Sequence, residues 1–174
     1  MGRGYKGRYK PRNKSKYVGD KRNIVYRSLW ERSFCKWCDR SSNVIKWALE
    51  PFVIPYFDQG KNKYRKYHPD FYMEMANGNK LLIEVKPDYE TKPPKMKKGT
   101  KRYLIAESTF ITNQSKWIAA REYCKQKGWK FQIVTEHVMK DMGIKLITTP
   151  PRRKKKGVSK KKVKYTNRKP SSGL

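Results

Sequence analysis

The 174 residues suffice for one domain with appended segments, and a domain of this size can bury a substantial core. The chain has 44 Lys and Arg residues against 14 Asp and Glu, a formal net charge of +30, and this excess indicates a polyanionic partner, nucleic acid before a membrane. No apolar run approaches the ~20 residues of a membrane span, and the N-terminus lacks the apolar core of a signal peptide.

The charge is concentrated at the two ends of the chain. Residues 1–23 carry nine basic side chains and one acid, and residues 150–174 carry eleven and none. Neither segment can bury enough apolar surface to offset the entropy of ordering. We therefore expect a disordered basic N-terminal arm over 1–23, a folded domain over 24–149 and a disordered basic C-terminal tail over 150–174. Tyrosines interleaved with the basic residues favour phosphate contacts and base stacking on DNA over a solvated tail or a targeting signal: Tyr5, Tyr9, Tyr17 and Tyr165.

The first predicted element is an amphipathic helix over residues 28–39. Ser28 and Glu31 have the spacing of a capping box, and apolar residues recur beyond them at helical intervals. Cys35 and Cys38 form a CxxC pair on this helix, and the chain has three cysteines. An odd number argues against a disulfide framework and for a reducing cytoplasm. We expect reduced, partly buried thiols, with a structural zinc site as the less favoured alternative because tetrahedral zinc needs two more ligands.

Short elements then follow along the chain. Two extended pieces separated by a proline lie within residues 44–56, and a polar loop follows over 58–66. Apolar alternation on both sides of Asn77 and Gly78 predicts a β-hairpin over residues 70–86. The remaining predicted elements are a loop over 88–99, helices over 101–107 and 115–126, a strand over 131–135 and a helical turn over 138–142. This order predicts an α/β sandwich around one mixed sheet.

The register of the hairpin follows from the faces of its side chains. Phe71 and Met73 share one face of the first strand, as Leu81 and Ile83 share one face of the second. A three-residue loop over 76–78, with glycine at the position of positive φ, places both apolar pairs on the same side of the sheet. Phe71 then lies opposite Ile83. A two-residue loop without a bulge would split the apolar pairs between the two faces.

The other face of the hairpin brings Asp70 opposite Glu84, with Lys86 two residues further on. Opposed like charges destabilise a sheet, and a divalent cation between the carboxylates would reverse the repulsion. Oxygen ligands suit Mg²⁺ or Mn²⁺, which activate water for phosphodiester hydrolysis, and Lys86 is placed to hold water or phosphate. Glu31 is a third acid that could complete the site. Two simpler readings stay open: Glu31 as the capping partner of Ser28, and Glu84 with Lys86 as an exposed ion pair.

At these residues the chain resembles a known superfamily. His68-Pro69-Asp70 followed by Ile83-Glu84-Val85-Lys86 is similar to the PD-(D/E)xK signature of restriction-endonuclease-like enzymes. The preceding helix with Glu31 resembles its counterpart in Holliday-junction resolvases and transposon-end-cleaving endonucleases. Over roughly residues 15–143 the segments YRSLWERSFCKW, EPFVIPY, EVKP and KW…FQIVTE resemble the head completion nucleases of T-even-like tailed phages.

The resemblance implies a restriction-endonuclease-like core, a central mixed β-sheet flanked by helices, with Mg²⁺-dependent hydrolysis of DNA. It implies metal ligation by Asp70 and Glu84, a catalytic lysine at Lys86 and a helix-borne acid at Glu31. Weaker candidates that it suggests are Glu50, Gln114, Lys116 and Trp117. The implied role is late in phage assembly, in the cytoplasm of the infected host or at the phage head, with DNA as substrate and portal or neck proteins as partners.

Three alternatives remain at this point. A non-catalytic DNA-binding or packaging protein would act through its basic tails and would not depend on Asp70, Glu84 or Lys86. A junction resolvase or transposition endonuclease would keep the chemistry, and its oligomeric state and activity on branched DNA would distinguish it. A head–tail connector would lack nuclease activity altogether.

Overall fold

The computed structural model of the protein describes residues 5–147. Two short strands come first, β1 (Gly7–Arg8) and β2 (Val25–Tyr26), followed by helix α1 (Leu29–Arg40). Five strands follow: β3 (Val44–Leu49), β4 (Ile54–Asp58), β5 (Lys63–Tyr67), β6 (Phe71–Met75) and β7 (Lys80–Val85). The last elements are α2 (Lys101–Lys127), β8 (Lys130–Val134) and α3 (Glu136–Asp141), and short 3₁₀ turns occur at Lys14–Lys16 and Asp88–Thr91.

The central sheet has four strands in the order β3-β6-β7-β8. The β7–β8 pair is parallel and the other two pairs are antiparallel, so the sheet is mixed. Helix α1 covers one face, where Phe34 packs into the core with Phe71 and Ile83. Helix α2 covers the other face, where Ala120 packs with Leu82. The predicted α/β sandwich around a mixed sheet is confirmed.

Helix α1 forms as its sequence predicts. Ser28 is the N-cap, and its hydroxyl oxygen accepts a hydrogen bond from the Glu31 backbone N–H at 3.0 Å. Cys35 and Cys38 lie on the buried face, and burial raises the pKa of both thiols well above the usual value. All three cysteines are free and buried. The zinc alternative finds no support here, because Sγ of Cys38 contacts the thioether sulfur of Met73 at 3.4 Å.

The N-terminal segment differs from the expected disordered arm, because residues 5–23 pack against the domain. Strand β1 pairs with β2, and the rings of Tyr9 and Tyr17 lie 5.9 and 4.8 Å from the ring of Trp47. These two tyrosines belong to the packing of the domain and are not free to stack on bases. The ordering depends on contacts distant in sequence, which local composition does not reveal. The tail over 150–174 lies outside the described residues.

Two other predictions of local structure are wrong. The loop predicted over 58–66 contains strand β5, whose side chains are exposed except for Tyr67, so apolar alternation is missing from its sequence. The two helices predicted over 101–107 and 115–126 are one continuous helix, α2. Near the predicted break, two side-chain hydroxyls donate hydrogen bonds within the helix, that of Thr109 to the Ile105 carbonyl and that of Ser115 to the Ile111 carbonyl. No helix in residues 5–147 has both the length and the hydrophobicity to cross a membrane.

Candidate active site

The β6–β7 hairpin has the register that the sequence predicts. Phe71 pairs with Ile83 and Met73 pairs with Leu81. The loop over 76–78 has three residues, and Gly78 adopts a φ of +81°, a left-handed conformation that favours glycine. Continued by one residue, this register places Asp70 opposite Glu84. The hairpin therefore brings the two predicted acids together at its open end.

The two carboxylates are held by different donors. Asp70 immediately precedes β6, and its Oδ2 accepts a hydrogen bond from the Val85 backbone N–H at 2.7 Å. Glu84 lies on β7 and is 3% exposed. Its Oε2 accepts a hydrogen bond from the Tyr67 hydroxyl at 2.7 Å, which fixes the carboxylate from the end of β5. Each carboxylate is therefore oriented by one strong donor.

Lys86 completes this group. Its Nζ lies 3.5 Å from Oε1 of Glu84, and its side chain is 25% exposed, so the ammonium is accessible from solvent. Burial alone would lower the pKa of Lys86, but the carboxylates of Glu84 and Asp70 outweigh that effect and raise the pKa above its usual value. Lys86 is therefore a protonated ammonium beside the two acids at neutral pH.

Burial and the neighbouring carboxylates of Glu84 and Glu31 raise the pKa of Asp70 well above its usual value. The direct hydrogen bond from Val85 and the charge of Lys86 act against this shift without cancelling it. A carboxyl group that is costly to ionise beside another carboxylate has the electrostatics of a cation-binding site.

Glu31 lies near these acids but already has partners in the chain. Its Oε2 accepts a hydrogen bond from the Arg27 backbone N–H at 2.7 Å, a variant of the capping box at the start of α1. Burial raises the pKa of Glu31. Residues 5–147 contain no group of three or more His, Cys, Asp or Glu side chains placed to hold one metal ion. The structure therefore brings Asp70, Glu84 and Lys86 together, with Glu31 close enough to raise the pKa of Asp70, and a catalytic role for Glu31 stays a prediction.

Glu50 supports the backbone of Asp70. Its N–H donates to the Asp70 carbonyl at 2.9 Å, and its φ of +45° is a left-handed conformation that a non-glycine residue rarely adopts. Its carboxylate accepts hydrogen bonds from Nε and Nη2 of the Arg27 guanidinium, the latter at 2.9 Å, and this pairing lowers the pKa of Glu50. A strained residue held by such contacts is typical of functional sites.

The candidates on α2 separate in the structure. The Lys116 ammonium lies 5.9 Å from the centre of the Tyr67 ring, and burial lowers its pKa, which Lys86 lowers further. Lys116 thus belongs to the surroundings of Glu84. Trp117 is 1% exposed and belongs to the core. Gln114 is partly buried, and it donates no hydrogen bond to Asp70 or Glu84 within the described part of the chain.

The donor set fits a hard divalent cation. Asp70 and Glu84 offer carboxylate oxygens, and a cation between them would offset the burial and the like charge that raise the pKa of Asp70. Two protein carboxylates suffice for a divalent ion that keeps several water ligands. Soft or tetrahedral metals are disfavoured, since no thiol or imidazole joins the two acids.

The sequence gives no direct signal that Tyr67 and Arg27 contact acids of the site. Tyr67 precedes the His68-Pro69-Asp70 motif directly, but its strand was interpreted as a loop. Arg27 precedes the N-cap of α1; its backbone contact with Glu31 is local, whereas its pairing with Glu50 joins residues distant in sequence. Recognition of β5 as a strand would have placed Tyr67 beside the acids.

The mixed sheet, its flanking helices and the acids at the end of the hairpin are those of a restriction-endonuclease-like nuclease. The chain belongs to the TnsA-like endonuclease family, because the family model described as TnsA-like endonuclease N terminal matches residues 41–136. That range includes Asp70, Glu84 and Lys86 and excludes Glu31.

A relative from a tailed phage is similar over most of the chain. The head completion nuclease of Enterobacteria phage T4 is 38% identical over 146 residues, which is 81% of this chain and 97% of that protein. The resemblance seen in the sequence is thereby confirmed. Nucleases of this kind act on DNA and usually use divalent metal ions.

Proposed function

We propose that this chain is a Mg²⁺-dependent DNA endonuclease that acts in phage head completion, with Asp70 and Glu84 as metal ligands and Lys86 as the catalytic lysine. One observation carries the proposal. The hairpin register opposes two acids on adjacent strands, and an ammonium lies 3.5 Å from one of them. Two opposed carboxylates repel each other, and a divalent cation between them would remove that repulsion.

The residues of the chain divide the work of hydrolysis. The Val85 N–H and the Tyr67 hydroxyl orient the two carboxylates, so that the ligands are arranged before substrate arrives. A bound Mg²⁺ supplies Lewis-acid stabilisation of the phosphate and lowers the pKa of a coordinated water. Lys86, protonated and accessible, contacts the scissile phosphate or the attacking water and stabilises the negative charge that develops there.

Binding precedes this chemistry and depends on charge. The folded region and both termini carry excess Lys and Arg, so release of counterions from DNA phosphates drives association. No zinc finger or recognition helix is evident in the sequence, and little base specificity is expected. The tail over 150–174 would add phosphate contacts. Action in the host cytoplasm or at the phage head, with portal or neck proteins as partners, is part of the same proposal and is supported by the name of the phage relative.

The test compares cleavage of circular and linear DNA by the purified full-length protein with Mg²⁺ or with EDTA. Glu84→Gln keeps an acceptor for the Tyr67 hydroxyl but removes the charge. Glu122→Gln, on the exposed surface of α2, is the matched control. We expect Mg²⁺-dependent cutting of both substrates by the wild type and by the control. The Glu84 variant should be at least about 100-fold slower with DNA binding retained.

Each other outcome has a definite meaning. A wild type that binds DNA but never cuts it favours the non-catalytic DNA-binding or connector role. Cutting by Glu84→Gln at the wild-type rate contradicts the assignment of the site. Cutting of linear DNA alone indicates an exonuclease, and strong preference for branched DNA indicates a resolvase-like role.

A further inference from the structure

The β4–β5 hairpin projects from the domain as a separate two-stranded sheet. Its strands pair from Ile54 with Tyr67 at the base to Asp58 with Lys63 near the tip. Alternate residues of β4 are buried, so one face of the hairpin packs against α2. The opposite face, where Phe57 pairs with Tyr64, is turned toward solvent.

The tip of the hairpin is fixed firmly to α2. The fully buried carboxylate of Asp58 accepts hydrogen bonds from the Thr112 hydroxyl at 2.9 Å and from Arg65 at 3.1 Å. The Gln59 N–H donates to the Ser115 hydroxyl at 3.3 Å. At Gly60 the backbone passes so close to α2 that a Cβ would lie 3.0 Å from a helix carbonyl oxygen. The outward face is therefore presented on a rigid support.

Two aromatic rings are exposed on that rigid face. Tyr64 is 81% exposed and Phe57 is 42% exposed. Their ring centroids are 5.2 Å apart with an interplanar angle of 69°, so Phe57 supports the ring of Tyr64 from the side. A large ring this exposed forgoes most of the free energy of burial, and holding it on an anchored hairpin is typical of a contact surface.

The surroundings of the aromatic pair are basic. Lys61, Lys63 and Lys66 lie on the same hairpin, and none of them makes an ion pair within the described residues. The remaining basic residue, Arg65, pairs with Asp58. Lys66 shares the outward face with the two rings and Lys61 lies in the turn, whereas Lys63 lies on the opposite face, so ammonium groups and exposed rings meet as they would for a ligand with phosphates and flat bases.

The hairpin also leads directly to the candidate active site. Tyr67, at the end of β5, donates its hydroxyl proton to Glu84 at 2.7 Å. Tyr64 lies three residues earlier, about 10 Å along the strand. That span is about three nucleotides at the rise of stacked DNA, ~3.4 Å each. Tyr64 and Tyr67 lie on opposite faces of β5, so a DNA strand running from Glu84 to Tyr64 would pass around the edge of the hairpin.

We propose that the outward face of the β4–β5 hairpin is a base-stacking surface for the DNA substrate, on which Tyr64, supported by Phe57, stacks on an accessible base. Lys61 and Lys66 contact the phosphates beside it. The inference rests on the proposed function only in taking DNA as the partner. Neither the family match nor the acidic site assigns a role to these residues.

A purely structural role for the aromatic pair makes a different prediction. Cross-strand aromatic pairs stabilise hairpins, so the rings could serve folding alone. In that case removal of Tyr64 would lower the melting temperature and leave the affinity for DNA unchanged. The two roles therefore separate in a binding experiment with a folded variant.

The test measures the affinity of the full-length protein for two oligonucleotides of equal length in EDTA, an oligothymidylate and a fully abasic chain. Tyr64→Ala should bind the oligothymidylate roughly 5- to 100-fold more weakly and the abasic chain unchanged. Tyr64→Phe keeps the ring and should bind both as the wild type does. Lys66→Ala is the matched control, and it should weaken binding of both chains equally.

Two results would overturn the proposal: equal loss on both oligonucleotides in Tyr64→Ala, or no loss on either. Melting curves verify that each variant is folded, and Tyr64→Thr, which keeps high β-propensity, replaces the alanine variant if that one unfolds. Because the assay contains no divalent cation, it is independent of cleavage. If the protein never cut DNA, the proposed function would be refuted, and this binding assay would still decide the role of Tyr64.

Discussion

Two acidic centres inside this basic chain are built in opposite ways. Asp39, at the end of α1, is fully buried. Its carboxylate accepts hydrogen bonds from the Tyr9 hydroxyl at 3.1 Å and from the backbone N–H groups of Arg12 at 2.8 Å and Asn13 at 2.9 Å. All three donors belong to the N-terminal segment. The acceptors of Asp39 are thus used within the fold, and the carboxylate fastens residues 9–13 to the domain.

The pair formed by Asp70 and Glu84 is arranged for a different purpose. Each carboxylate has one oriented donor, Val85 or Tyr67, and the two acids face each other. Burial and the neighbouring charge of Glu84 keep the pKa of Asp70 raised. The comparison teaches that burial alone does not mark a functional acid. An acid whose two oxygens both accept hydrogen bonds from one segment, as those of Asp39 do, is structural, whereas an acid held beside a like charge retains capacity for an external cation.

The largest predicted effect is on the cleavage rate and comes from Lys86, whose ammonium lies beside Asp70 and Glu84. Lys86→Ala should lower the cleavage rate about 100- to 1000-fold, because a preorganised charge next to the reacting phosphate is lost. Steady-state cleavage and DNA affinity in EDTA measure the two effects separately. Lys92→Ala, which breaks an exposed ion pair with Asp88, is the control and should cleave normally. A variant at Lys86 that cleaves like this control would remove the lysine from the mechanism.

Asp39→Ala should act on the fold instead. Three buried or partly buried donors lose their acceptor, so we expect the free energy of unfolding to fall by about 3 kcal/mol. Denaturant titration gives this value, and Asp39→Asn should lose less because one acceptor oxygen remains. At a temperature where the variant stays folded, its cleavage rate should equal that of the wild type. Loss of cleavage with unchanged stability would contradict the purely structural role of Asp39.

Asp70→Asn should have the opposite effect on stability. Without metal, the neutral amide removes the repulsion with Glu84 and should stabilise the protein by about 1 kcal/mol. Mg²⁺ at ten times its Kd should stabilise the wild type by about 1.4 kcal/mol and the variant hardly at all. Thermal melts with and without Mg²⁺ measure both quantities. Equal Mg²⁺-induced shifts in the two proteins would mean that Asp70 is not a ligand.

The smallest predicted effect concerns the backbone of Glu50. Glu50→Gly and Glu50→Ala both lose the ion pair with Arg27, but only glycine relieves the φ of +45°. Glu50→Gly should therefore be about 1 kcal/mol more stable than Glu50→Ala. Urea denaturation of the two variants gives the difference. Equal stabilities would show that the left-handed conformation carries no strain.

The parts of the fold that the sequence predicts are those governed by neighbouring residues. The capping box and helical spacing predict α1, and the three-residue loop with Gly78 predicts the register that opposes Asp70 and Glu84. Gly128 also ends α2 through a local signal, a glycine in a left-handed conformation with a φ of +68°. In each case the determining contacts are local, so periodicity and turn chemistry suffice.

The parts that the sequence does not predict depend on distant contacts. The N-terminal segment is ordered by Asp39, and β5 forms because β4 provides its partner strand. The Tyr67 hydroxyl could not be placed beside Glu84 without that strand. Metal ligation by Asp70 and Glu84, and the domain limits at residues 24 and 149, stay predictions.

One measurement tests the central claim most directly, namely the anomalous difference map of a crystal of the wild-type protein soaked in Mn²⁺. We expect a peak within about 2.5 Å of carboxylate oxygens of both Asp70 and Glu84. The same soak of Asp70→Asn crystals should lack the peak. A strong peak elsewhere, or none at this position in fully soaked wild-type crystals, would contradict the assignment of a metal site to the end of the hairpin.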